Sequence, residues 1–344
     1  MMAEQTNGTG VAPQSSPMDG LLAALRAAAE PTRLRILALL GRGELTVSEL
    51  VRILGQSQPR ISRHLKLLTE AGLLSRHREG SWVFHRLADD APGHTPAAEV
   101  ARQLNDLLPV AENGGGDQTL IQDQERLAEV KNARAEAAEA YFRDNAESWD
   151  KLRSLHIDEA EVEKAIGSLL PDSGIENLLD LGTGTGRSLE LLSARTSHGT
   201  GIDLSREMLS IARTRLEQAD CGHCHVRQEN LYQLPFAADA FDAVTIHQVL
   251  HFLDEPGRAV TEAARVLAPG GRLVIIDFLP HSMETLRDEH NHRRLGFADE
   301  EITAWLSRAG LTAKDTISLA GDPLTVALWL AEKPQSNKIP DTPS

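Results

Sequence analysis

Two stretches of the chain place a carboxylate beside glycines. Asn177-Leu-Leu-Asp-Leu-Gly-Thr-Gly-Thr-Gly186 is an apolar strand running into Gly182, Thr183, Gly184 and Gly186, and Arg187–Leu192 continues with helical spacing. Glycines at such a turn let the backbone amides of a helix start approach a ligand closely. Asp180, just ahead of them, can engage an ammonium group or a water. Further on, Thr200-Gly-Ile-Asp-Leu-Ser205 puts Asp203 at the end of a second strand, where a carboxylate can chelate both hydroxyls of a ribose. The pair points to a nucleoside-type ligand. A dinucleotide enzyme would use similar features, but Gly-Thr-Gly-Thr-Gly does not have the spacing G-x-G-x-x-G.

Two other clusters carry reactive groups. The stretch His281–Phe297 contains Glu289, His290, His292 and Arg294, of which His290, Glu289 and Arg294 can hold or deprotonate a second substrate. The bland alternative is a solvated helix with its own ion pairs, and a metal site from Glu289, His290 and His292 is the weaker reading. Cys221-Gly-His-Cys-His225 offers two thiols and two imidazoles, but one such pair without a second lacks the ligand set of a structural metal site. No metal is expected.

A third set of residues suits DNA. Pro31 starts a helix carrying Leu34, Ile36, Leu37, Leu39 and Leu40, which Gly41 and Gly43 end. Leu45–Leu50 is expected to begin a second helix, with Ser48 as its cap, and Gly55 to turn the chain into a third over Ser57–Leu68. In this third helix Ile61, Leu65 and Leu68 share one face, leaving Gln58, Arg60, Ser62, Arg63 and Lys66 outward. Gln can read adenine and Arg guanine, while Ser57, Ser62, His64 and Lys66 suit phosphates. Leu73–Leu87 alternates across a Glu79-Gly80 turn as a two-stranded wing armed by Arg76 and Arg78.

These groups must be positioned by more than one domain, since 344 residues with 41% hydrophobic content exceed a typical single core. The formal charge is −15, yet residues 18–88 carry eleven basic and six acidic side chains, so a +5 module is attached to a body at −20. The expected divisions are a tail over 1–17, a DNA-binding domain over 18–90, a helical dimerisation or linker segment over 91–145, a ligand-binding domain over 146–332 and a tail over 333–344. Asn113–Gly116 is the clearest linker. After it, Leu120, Leu127, Val130, Ala137 and Tyr141 recur on one face of a long helix. Two cysteines make no disulfide framework, and neither a signal peptide nor a membrane segment is recognisable, so a reducing cytoplasm is expected.

Glu30–Leu37, Ser57–Leu68 and Glu70–Leu74 together resemble the ArsR-type winged-helix repressors. The resemblance implies a homodimer on a symmetric double-stranded operator. Thr46 and Ser48 stand where that family's metal sensors have cysteines, so this head needs another signal. Asn177–Gly186 and Thr200–Ser205, followed by Val226–Phe236, Ala240–His251 and Val266–Asp277, resemble class I S-adenosylmethionine-dependent methyltransferases, close to the type-11 and quinone C-methyltransferase-like branch.

This second resemblance implies an α/β Rossmann-like domain with strand order 3-2-1-4-5-7-6. Its cofactor, S-adenosylmethionine or S-adenosylhomocysteine, would lie at the carboxyl ends of the first strands. It implies that Gly182, Gly184 and Gly186 border the methionine part, Asp203 the ribose, and Met208, following Leu204, the adenine. Asn230, ahead of Leu231, replaces the family's usual acid, and its amide oxygen can still accept a hydrogen bond. His247 would face the sulfonium, while Tyr141 and Trp149 would close over the cofactor, with a packing role as the equal alternative for Trp149. The implied function is an ArsR-type regulator controlled by an adenosyl compound, or an active methyltransferase for an unidentified small-molecule acceptor with an autoregulatory head. A DNA-modifying methyltransferase fits poorly with the acidic body and the missing Pro-Pro-Tyr-type signature.

Overall fold

The computed structural model describes residues 17–79, 82–88, 96–108, 117–146, 149 and 158–335. The Asn113–Gly116 linker, Gly80 of the wing turn and most of both tails lie outside the described residues. The chain divides into two compact units, the division on the longest helix falling between Ala128 and Glu129.

The first unit begins with α1 (Pro17–Ala28) and α2 (Pro31–Leu40), the latter capped by the Glu30 carboxylate, which accepts the Arg33 N–H at 2.9 Å. A two-residue strand, β1 (Leu45–Thr46), leads into α3 (Val47–Leu54). The expected helix therefore starts later, and its cap is Thr46 rather than Ser48: Thr46 and Glu49 form a reciprocal capping box. Gly55, at φ +65°, ends α3 in the left-handed region and turns the chain towards α4 (Gln58–Glu70). The hairpin β2 (Leu74–Glu79) and β3 (Trp82–Leu87) follows, and β1 pairs with β3, so the wing sheet has three strands rather than two. Ile36, Leu37, Leu50, Ile53, Ile61, Leu65, Leu68 and Phe84 fill the core. The helix α5 (Pro96–Leu107) packs along α1.

The helix α6 (Gln118–Asn145) belongs to both units along its 28 residues. Within the first unit, Asp123 is buried and receives Arg35 through two bonds of 2.6 and 2.7 Å, while Arg126 donates to the Ile53 carbonyl. Leu120, Leu127 and Val130 are buried as their periodicity predicts, whereas Ala137 is exposed.

The second unit has helix α7 (Glu159–Leu169), then β4 (Ile175–Leu181), α8 (Arg187–Leu192), β5 (Thr196–Asp203), α9 (Arg206–Gln218), β6 (Cys224–Gln228) and β7 (Phe241–His247). The remaining elements are α10 (Pro256–Val266), β8 (Leu267–Phe278), α11 (Thr285–His290), α12 (Asp299–Arg308), β9 (Thr312–Ala320) and β10 (Thr325–Glu332). The sheet runs β6-β5-β4-β7-β8-β10-β9, with β10 antiparallel to both neighbours, which is the expected order 3-2-1-4-5-7-6. Its central strands are apolar on both faces because helices cover both. Leu179, Leu181, Ile246 and Ile275 pack with α10 and α12; Leu178, Ala243, Val274 and Ile276 pack with α7, α8 and α9. This leaves the carboxyl ends of β4, β5, β7 and β8 to carry polar groups.

Candidate functional site

At the end of β4 the three glycines differ in purpose. Gly182, Gly184 and Gly186 all have positive φ, at +70°, +52° and +82°. A Cβ on Gly182 would strike the Val249 side chain, and one on Gly186 would meet Ala212 at 3.0 Å, so these two allow close packing. Gly184 is the open one: its nearest neighbour is the Trp149 indole, 3.6 Å from an added Cβ. Its N–H donates to Asp203 Oδ2 at 2.9 Å, and the Ser205 N–H donates to Oδ1 at 2.9 Å. Asp203 is partly exposed at the end of β5, and burial by the surrounding chain pushes its pKa up against the pull of these N–H groups. The acid is thus fixed to the glycine turn with lone pairs to spare.

Neighbouring residues are distributed less simply than their order suggests. Asp180 is buried between strands, where its Oδ1 accepts the Thr245 hydroxyl at 2.6 Å across the β4–β7 register, so it does not line an open site as expected. Thr183 is buried too, its N–H bonded to the Ile202 carbonyl. Met208 is 1% exposed in the core of α9, while Leu204 is 53% exposed beside Asp203, so Leu204 is the apolar side chain left open there. Asn230 is exposed, and its Oδ1 already accepts the Tyr232 N–H at 2.9 Å. Leu231 is buried in the sheet core. His247 is buried with its Nδ1 3.3 Å from the Ser188 hydroxyl at the start of α8.

Tyr141 and His290 meet. The phenol oxygen lies 2.8 Å from His290 Nδ1, and burial pushes the Tyr141 pKa up to about 12, so the phenol keeps its proton. Tyr141, Phe142, Trp149 and Phe252 form a connected set of edge-packed and tilted rings over the glycine turn. Glu289 is exposed on α11. Arg294 is buried and held by both oxygens of Glu301, so its charge is already matched. Among the described residues no cluster of three metal-ligating side chains occurs. Both cysteines are buried, and burial with the neighbouring Cys221 pushes the Cys224 thiol up to about 11, away from the thiolate a metal needs.

In the first unit, Ser57, Gln58, Arg60, Ser62, Arg63 and Lys66 are exposed on α4, as are Arg76 and Arg78 on β2. His64 is the exception. It turns inward, Nδ1 lying 3.6 Å from Glu30, and burial lowers its pKa, Glu30 opposing the shift and Arg33, Arg60 and Arg63 adding to it.

Residues 30–76 match the family described as bacterial regulatory protein, arsR family, and residues 179–275 match the methyltransferase domain family. The chain joins an ArsR-type domain to a methyltransferase domain. Over 143 residues it is 37% identical to a demethylmenaquinone methyltransferase of Clavibacter sepedonicus, covering 42% of this chain and 55% of that protein. An O-methyltransferase of Aspergillus nomiae is 32% identical over 134 residues, 38% of this chain and 60% of its own. A phosphatidylethanolamine N-methyltransferase of Cereibacter sphaeroides is 40% identical over 101 residues, 29% and 49% of the two chains. The chain therefore spans half to three-fifths of the length of these relatives.

The residues of this site fit S-adenosylmethionine. Asp203 offers carboxylate lone pairs for a ribose diol, exposed Leu204 an apolar surface for an adenine, and the open side of Gly184 room for backbone approach under Trp149. Sequence reasoning missed His251 and Asp277, which are bonded to one another at 2.7 Å in the interior. Only the strand order, which brings the ends of β7 and β8 together, pointed to them.

Proposed function

We propose that this chain is a homodimeric transcription regulator that binds double-stranded operator DNA through its ArsR-type domain and S-adenosylmethionine or S-adenosylhomocysteine through its methyltransferase domain. The adenosyl compound is its controlling ligand. One observation carries the reading: a single chain holds both an exposed basic α4 face and a glycine turn latched to Asp203, with α6 contributing residues to both units. Gln58 and Arg60 would read bases, and Ser57, Ser62, Arg63, Lys66, Arg76 and Arg78 would hold phosphates. Dimerisation is supported by α1, where Met18, Leu22 and Leu25 expose an apolar stripe at helical spacing. A cytoplasmic location fits DNA binding; among the described residues no helix is long and apolar enough to cross a membrane.

A second activity is compatible with the first. The Tyr141–His290 pair beside the ring set over Gly184 favours transfer of a methyl group to a small-molecule acceptor, with the DNA-binding domain making the enzyme autoregulatory. The bound cofactor supplies an electrophilic methyl on a sulfonium. Trp149, Phe142 and Phe252 would exclude water and align the acceptor, the source of most of the rate in such a displacement. Two of the relatives are named for different acceptors, a demethylmenaquinone and a phosphatidylethanolamine, and the third only for O-methylation, so the likeness leaves the acceptor open.

The test uses a duplex selected from a random pool by the purified protein. At fixed salt, saturating S-adenosylhomocysteine or S-adenosylmethionine is expected to change its affinity by about fivefold or more. No change with either compound ends the sensing role.

A further inference from the structure

Beyond the groups already described, the carboxyl ends of β7 and β8 enclose a second pair of proton-handling side chains. His251 is 2% exposed and Asp277 is fully buried. The His251 Nδ1–H donates to Asp277 Oδ1 at 2.7 Å, and the same oxygen takes the Phe278 N–H at 2.8 Å. With Nδ1 protonated towards a carboxylate, the lone pair of the neutral imidazole is on Nε2. Nε2 makes no hydrogen bond among the described residues. Asp277 Oδ2 is buried and likewise has no partner among them. An unpaired buried carboxylate oxygen is costly.

The surroundings are aromatic. Phe252 and His292 pack on the His251 ring with centroids 4.1 Å away, and Phe278 lies 5.3 Å away, so the imidazole stands in an aromatic cup. Gln248, at φ +54°, turns the chain after β7 so that Val249 meets Gly182 while Phe252 meets Trp149, the ring over Gly184. The cup therefore adjoins the turn assigned to the cofactor.

The geometry points to His251, held and charge-compensated by Asp277, as the base that deprotonates a methyl acceptor of the hydroxyarene class. The inference rests on the adenosyl-binding reading above. His251 Nε2 takes the proton from the aromatic hydroxyl. The freed oxygen pair forms the new bond to the methyl carbon as the methyl–sulfur bond breaks, its electrons remaining on sulfur. The proton then leaves His251 for water, so one hydroxyarene and one sulfonium give one aryl methyl ether, one thioether and one proton. A base of this kind is worth about 10²–10⁴ in rate, and only for an acceptor that is not already ionised.

That condition supplies the test. Full-length protein is assayed for methyl transfer to 2-naphthol, which is un-ionised at neutral pH, and to 4-nitrocatechol, which is ionised there. His251→Asn is expected to lower kcat on 2-naphthol about 100-fold or more and on 4-nitrocatechol less than fivefold, with calorimetric S-adenosylhomocysteine affinity within twofold of the unaltered protein. Nitrogen NMR of the cofactor-free protein should show His251 protonated at Nδ1, and Asp277→Asn should shift that tautomer. Equal losses on the two acceptors, an Nε2-protonated tautomer, or transfer to neither acceptor despite S-adenosylhomocysteine binding overturns the assignment. Should the His251 variant fail to fold, the unaltered protein still decides it: the Nδ1-protonated tautomer must be present, and methyl transfer to 2-naphthol must proceed at a pH where that acceptor is un-ionised. Absence of S-adenosylhomocysteine binding by the unaltered protein instead overturns the underlying adenosyl reading.

Discussion

Asp203 does two jobs with one carboxylate: it accepts the Gly184 and Ser205 N–H groups, and it retains lone pairs for a ligand. Replacing it with alanine leaves the glycine turn unlatched and, under the proposed role, removes charge-assisted bonds to a ribose diol. Such bonds contribute about 1.5–3 kcal/mol each, so Asp203→Ala is expected to weaken S-adenosylhomocysteine binding by roughly 100-fold or more in calorimetry. Unchanged affinity would remove the ribose role. His64 gives a pH-dependent expectation. Its pKa in the folded chain lies below the ordinary 6.5, first because of burial, so the unfolded chain binds the proton more readily. Its stabilising contribution is therefore complete above about pH 6.5 and falls as pH drops towards the lowered folded value. Chemical denaturation between pH 7.5 and 5 should show this slope, and His64→Gln should flatten it. At this scale the sequence exposed Asp203 and the glycines because their spacing is local. It could not reveal His251 with Asp277, 26 residues apart and joined only by the sheet, nor could spacing alone tell that Met208 faces the core while Leu204 faces out.

Elements were legible in proportion to how far their own residues determine them. The strands β4, β7 and β8 read as apolar runs because helices cover both faces, and α6 read as a helix from its long period. The strand β1 was missed because two residues carry no period, and Leu45 and Thr46 are held extended by pairing with His85 and Phe84. The way α6 is anchored was equally hidden, since its partners come from distant loops. In the second unit Lys131 bonds Glu255, and Arg134 bonds Asp254 at 2.9 Å, a carboxylate that Arg293 also holds at 2.7 Å. Those acids stand just after the Val249–Phe252 segment that touches the glycine turn, while Asp123 and Arg126 fix the other part of α6 in the first unit. Cutting the helix loose should therefore disturb communication more than binding. Lys131→Ala with Arg134→Ala is expected to keep S-adenosylhomocysteine affinity within threefold while abolishing its effect on operator affinity in fluorescence titrations. If the full ligand effect persists in the double variant, α6 is not the transmitter.

For the molecule as a whole, the uneven charge matters more than its sum of −15. A body of that sign gains nothing from a polyanion, so the attraction to DNA must come from the exposed cations of α4 and the wing, and it must be salt-dependent. Each phosphate contact contributes a slope of about −0.9 in log affinity against log salt, so Lys66→Ala in a dimer, losing one contact per protomer, should flatten the slope by about 1.8. An unchanged slope would mean that Lys66, 3.7 Å from Glu70, already spends its charge within the helix. The same titrations examine the link between the two ligands from both sides. If the adenosyl compound alters operator affinity by some factor at a given salt concentration, the operator must alter adenosyl affinity by the same factor, because both follow from one set of binding equilibria. Calorimetry of S-adenosylhomocysteine with and without saturating operator should therefore return the ratio found in the DNA titrations. Agreement would establish a single coupled system in which the adenosyl compound is bound and released. S-adenosylhomocysteine has no methyl to give, so the equality must hold for it whatever the domain catalyses. An inequality that appears only when S-adenosylmethionine is the titrant would mean that this compound is consumed during the measurement, the signature expected if the methyltransferase domain turns over on an acceptor carried with the protein.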